Sequence, residues 1–162
     1  FDEFAAQIGK LEEGAPPKTF TLSLDKGEAV LGFIQKKEKL TVDWDGKNAF
    51  VQRPGECPDG QACVCDCVQD LELKDENFKE NIWSCTEQLR CKTYPAFDFE
   101  KKLPKVKFIQ KTIPEEEYTF HNGFIIRRIK GNPPELPGMK DKIVLYLKRE
   151  RGKVTICDHD PC

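Results

Sequence analysis

The chain has no long apolar stretch and no recognisable catalytic motif. No run approaches the ~18 apolar residues that a membrane-spanning helix needs. It contains no Asn-x-Ser/Thr triplet, so N-glycosylation at that motif is not expected. No glycine-rich phosphate loop occurs, and no serine stands in a nucleophile motif. The sequence therefore predicts a non-enzymatic protein with no catalytic residues and no cofactor.

Apolar residues are also sparse overall. Only 38% of the 162 residues are hydrophobic, whereas 33% are charged. A chain of this length fits one domain with a modest core. Disulfides would add to its stability, because each contributes roughly 2–4 kcal/mol in the chain-entropy model.

Cysteine, in contrast, is abundant. The chain has eight cysteines, and three alternate in the run Cys63-Val64-Cys65-Asp66-Cys67. An even count at short spacings is typical of a disulfide framework formed in an oxidising, extracytoplasmic compartment. All eight are therefore predicted to form disulfides: Cys57, Cys63, Cys65, Cys67, Cys85, Cys91, Cys157 and Cys162.

The alternating cysteines are not expected to pair with one another. In a strand their side chains share one face, with Cα atoms about 6.5–7 Å apart and parallel Cβ vectors. Each should reach instead to Cys57, to the segment of Cys85 and Cys91, or to the C-terminus. Cys85 with Cys91 and Cys157 with Cys162 are possible local loops, and eight cysteines allow 105 connectivities.

A metal site is the alternative use of these cysteines. Cys157, His159 and Cys162, with Cys65 from the alternating run, offer three thiolates and an imidazole for zinc or copper. The Cys-x2-Cys pairs of common zinc sites are absent, so disulfides are favoured.

The hydrophobic pattern predicts a short helix followed by a mainly β domain. The apolar residues from Phe1 to Leu11 have the spacing of one face of a helix. Residues 1–14 are therefore expected to form an N-terminal helical segment that docks on the domain, packs against a partner or continues a removed anchor. Because the chain begins at Phe1, an N-terminal signal or anchor is expected to have been removed, and membrane contact is expected only through it.

Residues 18–162 are predicted to form one antiparallel β-sandwich or barrel, stabilised by disulfides. Hairpin loops are expected at Asp25-Lys26-Gly27, Asp45-Gly46, His121-Asn122-Gly123 and Arg151-Gly152, and a further strand at Val106 to Ile109. Asp43, Asp45, Gly46 and Asn48 resemble part of a calcium loop, but a hairpin turn explains them better. His121 is expected to be exposed rather than catalytic.

Charge is divided along the chain. Residues 1–100 carry 12 Lys and Arg against 20 Asp and Glu, a net charge of −8, and residues 101–156 carry 14 against 6, a net charge of +8. Solvated faces on interleaved strands are the favoured interpretation, and stacking of acidic on basic surfaces is the alternative. Nucleic-acid binding is not predicted, because no stacking aromatics accompany Arg127, Arg128 and Lys130.

Five short motifs carry a resemblance to a known group of proteins. They are Ala29-Val30-Leu31-Gly32-Phe33, Arg53-Pro54-Gly55-Glu56-Cys57, Ala62-Cys63-Val64-Cys65-Asp66-Cys67, Asn122-Gly123-Phe124-Ile125-Ile126 and Lys153-Val154-Thr155-Ile156-Cys157. With them the chain resembles uncharacterised archaeal proteins that carry an N-terminal membrane anchor and one cysteine-bearing β domain outside the cytoplasm. The resemblance implies a location and assigns no activity.

The expected function is accordingly a secreted or cell-surface β domain acting in surface structure or recognition. Self-assembly into a filament or sheath is plausible, through the divided charge, the apolar stripe of the N-terminal segment or an unpaired strand edge. A protein partner or self-association is expected. The alternatives are the metal-binding protein described above and a secreted hydrolase or inhibitor whose site only the fold would assemble.

Overall fold

A computed structural model of the chain describes residues 1–25, 28–36, 39–44, 47–68, 71–73, 82–85, 89–99, 119–127 and 141–157. The predicted strand at Val106 to Ile109 lies outside them. One helix, α1, spans Asp2–Gly9. The strands are β1 Lys18–Leu24, β2 Ala29–Phe33, β3 Lys39–Trp44, β4 Lys47–Gln52, β5 Ala62–Cys67, β6 Leu71–Leu73, β7 Ile82–Cys85, β8 Arg90–Tyr94, β9 Asp98–Phe99, β10 Thr119–His121, β11 Gly123–Arg127, β12 Asp141–Glu150 and β13 Lys153–Cys157.

Three sheets contain these strands. The first sheet has the order β1-β12-β13-β9, the central sheet β11-β2-β5-β8, and the third sheet β10-β3-β4-β7-β6. Pairing is antiparallel throughout, except for the two-residue parallel contacts of β13 with β9 and β4 with β7. The mainly β, sandwich-like fold with a short N-terminal helix is confirmed, and the sheets formed by the described strands do not close into a barrel.

Two of the predicted hairpins are confirmed. Trp44 pairs with Lys47, so β3 and β4 form a hairpin, and Asp45-Gly46 between them lie outside the described residues. Glu150 pairs with Lys153 across Arg151 and Gly152. Both of those loop residues have positive φ, 53° and 71°, as the turn that matches the twist of antiparallel strands requires.

The other two predicted hairpins are wrong. β1 lies in the first sheet and β2 in the central sheet, while β10 and β11 divide between the third and central sheets. β2 is buried along its whole length, so it needs a sheet on each face, whereas β1 buries only alternate residues near its end. Between β10 and β11, Asn122 with φ 66° turns the chain from one sheet into the next.

The central sheet has a hydrophobic core on each face. Even-numbered residues of β2 and β5, such as Val30 and Val64, join the first core, which also contains residues of α1 and the first sheet. Odd-numbered residues, such as Leu31 and Cys65, join the second core with residues of the third sheet. Because strand side chains alternate, β2 and β5 supply both cores.

Helix α1 packs against its own domain. Phe4 and Ile8 are fully buried in the first core. The Tyr94 hydroxyl donates to the Ala5 carbonyl at 2.8 Å, and Arg149 donates to the Leu11 carbonyl. Of the three alternatives for this segment, docking on its own domain is confirmed, and its apolar stripe is covered by the first core rather than available for subunit contacts. No helix in the described ranges is long and apolar enough to cross a lipid bilayer.

Among the described residues, strands from the acidic and the basic part of the chain are interleaved. Strands from the acidic and basic parts of the chain are neighbours in every sheet, as β1 with β12, β2 with β11 and β3 with β10. Glu13 and Arg149, one from each part, form an ion pair at 3.3 Å. This agrees with the favoured interpretation of interleaved strands.

Candidate functional site

The alternating cysteines lie on one face of β5, as predicted. Cys63, Cys65 and Cys67 are each fully buried and belong to the second core. β5 is a middle strand, with β2 on one side and β8 on the other. The three sulfurs are therefore held on a strand that has little freedom to move.

Each of these cysteines forms a disulfide with a different segment. Cys63 bonds to Cys57 in the preceding loop, Cys65 to Cys91 in β8, and Cys67 to Cys85 in β7, with Cα separations of 5.9, 4.1 and 5.7 Å. The prediction that the three would not pair with one another is confirmed. These disulfides are typical of a protein that folds in an oxidising, extracytoplasmic environment.

The possible local bridge between Cys85 and Cys91 is wrong. In the pairing of β5 with β8, Cys91 stands directly opposite Cys65. Cys85 belongs to β7 of the third sheet, where it reaches Cys67 across the second core. The latter bridge therefore joins two layers of the fold, which short sequence spacing does not indicate.

The predicted metal set is not assembled among the described residues. Cys65 faces the second core, whereas the neighbour of Cys157, Ile156, faces the first core from another sheet. Strand alternation therefore places Cys157 on the far side of the first sheet. Cys157 is itself disulfide-bonded. His159 and Cys162 lie outside the described residues, so the possible local bridge between Cys157 and Cys162 lies outside them as well.

Two of the disulfides are in contact. The Sγ atoms of Cys63 and Cys65 lie 3.9 Å apart, although they belong to different bridges. The Sγ atoms of Cys57, Cys63 and Cys65 all lie within 4.8 Å of one another. We call these three residues and Cys91, which is bonded to Cys65, the sulfur cluster.

The loop that carries Cys57 is organised by Arg53. Its guanidinium donates to the carbonyls of Ile34, Cys57, Pro58 and Gln61, at 2.5 to 2.8 Å. Burial lowers the pKa of Arg53, while the nearby carboxylates of Asp59 and Asp98 act in the opposite direction. Five donors in a planar fork suit this task, so Arg53 fixes the backbone beside the cluster.

The opposite face of β5 carries one buried charge. Asp66 is 1% exposed, and its Oδ2 lies 2.5 Å from Nη2 of Arg90. This hydrogen bond, more than any other contact, raises the pKa of Arg90. Arg90 also lies over the Phe1 ring and 3.9 Å from Asp2. The pair thus connects the cysteine strand to the start of α1.

His121 and Asp43 form a further polar pair on the third sheet. His121 Nε2 lies 2.9 Å from Asp43 Oδ2, and both side chains are partly exposed. The pair links β10 to β3, which are adjacent strands. This contact and the hairpin register account for Asp43 without a calcium loop.

Sequence reasoning missed Arg53 and Asp66. The signal for Asp66 was present, since an aspartate between cysteines in an otherwise apolar run implies a buried carboxylate that needs a cation. Arg53 had no such signal, because its four carbonyl partners are defined only by the path of the loop.

The chain is thus a mainly β, sandwich-like protein cross-linked by disulfides. No protein-family model, no curated protein and no solved structure matches it.

Proposed function

We propose that this chain is a non-enzymatic β domain that acts outside the cytoplasm, in cell-surface structure or recognition. The observation that carries the proposal is the cross-linking of β5 to three other segments, through Cys57–Cys63, Cys65–Cys91 and Cys67–Cys85. Such bridges persist in oxidising compartments and are reduced by the thiol pool of the cytosol. They suit a small domain that must stay folded without intracellular chaperones.

Self-association would use a strand edge, because the apolar face of α1 is covered. β1 is seven residues long and stands at the edge of the first sheet, with β12 as its only neighbour among the described strands. The unpaired backbone groups of such an edge accept a strand from another chain. We therefore place the contact of a filament or sheath subunit at β1.

Location is tested on intact cells of the source organism. A membrane-impermeant amine reagent is applied first, and free thiols are then alkylated during lysis without a reductant. We expect the chain to be labelled by the amine reagent and its cysteines to resist alkylation. A chain that escapes surface labelling and has alkylated cysteines would overturn the proposal. A cytoplasmic protein of the same cells is the control and should not be labelled by the amine reagent.

Self-association is tested by sedimentation velocity over a range of protein concentrations. Thr21→Glu places a charge on the edge strand β1, whereas Thr155→Glu places the same charge on β13, between β12 and β9. We expect the wild type to associate, Thr21→Glu to remain monomeric and Thr155→Glu to associate like the wild type. A wild type that stays monomeric at high concentration rejects assembly and leaves recognition as the role.

A further inference from the structure

Three sulfurs of the sulfur cluster, those of Cys57, Cys63 and Cys65, lie close enough together to hold one metal ion. Zinc binds thiolates at about 2.3 Å in a tetrahedron, so neighbouring sulfurs in a four-thiolate site lie about 3.8 Å apart. The Sγ atoms of Cys63 and Cys65 are 3.9 Å apart. Those of Cys57, Cys63 and Cys65 fit within 4.8 Å. The spacing between the two bridges therefore already matches one edge of the tetrahedron.

A fourth sulfur, outside that three-sulfur group, is available from Cys91 on the facing strand. Cys91 stands directly opposite Cys65, with a Cα separation of 4.1 Å. When both bridges are reduced, the sulfurs within each bridge must separate to the same spacing of about 3.8 Å. Rotation about the Cα–Cβ bonds provides that movement, while the β5–β8 pairing holds both backbones in place.

The surroundings favour thiolates on this face. Arg53 donates to the Cys57 carbonyl at 2.7 Å, so a guanidinium charge stands beside the backbone of one ligand residue. The buried carboxylate of Asp66 points to the opposite face of β5, by strand alternation. The second core supplies apolar cover, with Cys57, Cys63 and Cys65 each at most 2% exposed. A dry site next to a cation stabilises bound thiolates against exchange with solvent.

We propose that the reduced chain binds one thiophilic divalent cation, of the Zn²⁺ class, through Cys57, Cys63, Cys65 and Cys91. Each bridge exchanges with two thiols of a small-molecule thiol reductant, which become a disulfide, and the bridge takes up their two electrons and two protons and becomes two thiols. The four thiols then release four protons as the cation binds. The same four sulfurs thus have two alternative cross-links, covalent when oxidised and metal-centred when reduced. This inference does not depend on the proposed surface function.

The experiment uses the full chain, reduced by a phosphine under argon. The phosphine becomes phosphine oxide with the oxygen of water, and each disulfide becomes two thiols. Co²⁺ is titrated in as the spectroscopic probe, and Zn²⁺ is then added to displace it. We expect one Co²⁺ per chain, the visible absorption of tetrahedral four-thiolate cobalt, and its loss on addition of one Zn²⁺.

Three double variants locate the site. Cys57→Ala with Cys63→Ala, and Cys65→Ala with Cys91→Ala, each remove two proposed ligands and should abolish the tetrahedral spectrum. Cys67→Ala with Cys85→Ala removes the same number of sulfurs outside the cluster and should keep it. Equal loss in all three variants, or an unchanged spectrum in the first two, overturns the proposal.

Circular dichroism separates a folded site from binding to an unfolded chain. If the reduced chain keeps its β signal, tetrahedral binding to it supports the site, and the absence of binding overturns it. If the reduced chain is unfolded, one ion must restore the β signal, since metal binding then supplies folding free energy. Binding of several ions without that recovery also overturns the proposal.

Discussion

The bridges Cys65–Cys91 and Cys67–Cys85 are nested in the sequence, and this leads to a quantitative prediction. Cys67–Cys85 closes 18 residues and lies inside the 26 closed by Cys65–Cys91. Once the inner bridge exists, the outer one closes only a small ring, whose two arms have sequence separations of two (65 to 67) and six (85 to 91). Each bridge therefore restricts the denatured chain less than its full separation implies.

The chain-entropy model gives the magnitudes at 25 °C. It assigns about 3.5 kcal/mol to a loop of 26 residues, about 3.2 to a loop of 18 and about 2.5 to the ring of about eight. Removing the outer bridge should thus lower the free energy of unfolding by about 2.5 kcal/mol, and removing the inner one by about 2.1. Removing both should cost about 5.7 kcal/mol, about 1 kcal/mol more than the sum of the single effects.

The assay is guanidinium unfolding of the oxidised protein, with the free energy extrapolated to water. The inner and outer bridges are replaced by paired alanines, singly and together. Sulfur atoms lost from the core lower the stability of each variant, but that contribution largely cancels in the double-mutant cycle. If the combined variant is unfolded in water, all four proteins are measured with the same concentration of a stabilising osmolyte.

The matched control is the bridge Cys57–Cys63, which closes six residues outside the nested pair. Its removal should cost about 2.2 kcal/mol. It should add without excess to the loss of Cys67–Cys85, because the bridge in contact with it is Cys65–Cys91. A combined effect of the nested bridges that equals or falls below the sum of the single effects would refute the reasoning.

Three further predictions concern packing, pH and the Arg53 loop. A Cβ at Gly32 would collide with the ring of its cross-strand partner Phe124, so Gly32→Ala should lower the free energy of unfolding by about 1–3 kcal/mol. In chemical unfolding, the same substitution should cost less stability when Phe124 is replaced by Leu. An equal cost in both backgrounds would contradict the collision. Burial raises the pKa of Tyr94 in the folded protein. The neutral phenol therefore contributes its full stabilisation of the folded state below about pH 10, the pKa of Tyr in the unfolded chain, and this contribution is lost as the pH rises above that value. Tyr94→Phe removes the hydrogen bond to the Ala5 carbonyl and should lower the free energy of unfolding by about 1 kcal/mol at neutral pH. Between pH 9 and about 11 the stability of this variant should fall less than that of the wild type. An equal fall in both proteins would contradict the role given to Tyr94. Arg53→Met removes donors from four carbonyls and should cost about 2–4 kcal/mol in thermal or chemical unfolding, since water replaces only part of these bonds. Arg53→Lys should restore a minority of that loss, because one ammonium cannot reach all four carbonyls, and full restoration would show that charge alone suffices.

Local features of the fold could be predicted from the sequence. Period-two alternation and Asp45-Gly46 or Arg151-Gly152 loops specify hairpins, because turn residues and side-chain alternation act over a few residues. The shared face of Cys63, Cys65 and Cys67 follows from the same alternation. The oxidising environment follows from their number and spacing.

The arrangement of the sheets depended on contacts distant in sequence. The continuous burial of β2 and β5 requires a layer on each side, and this separates β1 from β2 although only a short loop joins them. An uninterrupted apolar run such as Ala29 to Phe33 is the sequence signal of that burial, but it does not identify the covering strands.

The sequence by itself therefore determined the class of protein: mainly β, with one helix and a disulfide framework. Only the tertiary structure decided which cysteines pair, because register places Cys91 opposite Cys65 and sheet packing brings Cys85 to Cys67. It also covered the apolar face of α1 and brought two bridges into contact. The physical reason is that composition and local pattern set what each segment can form, whereas pairing partners are selected by burial across the whole chain.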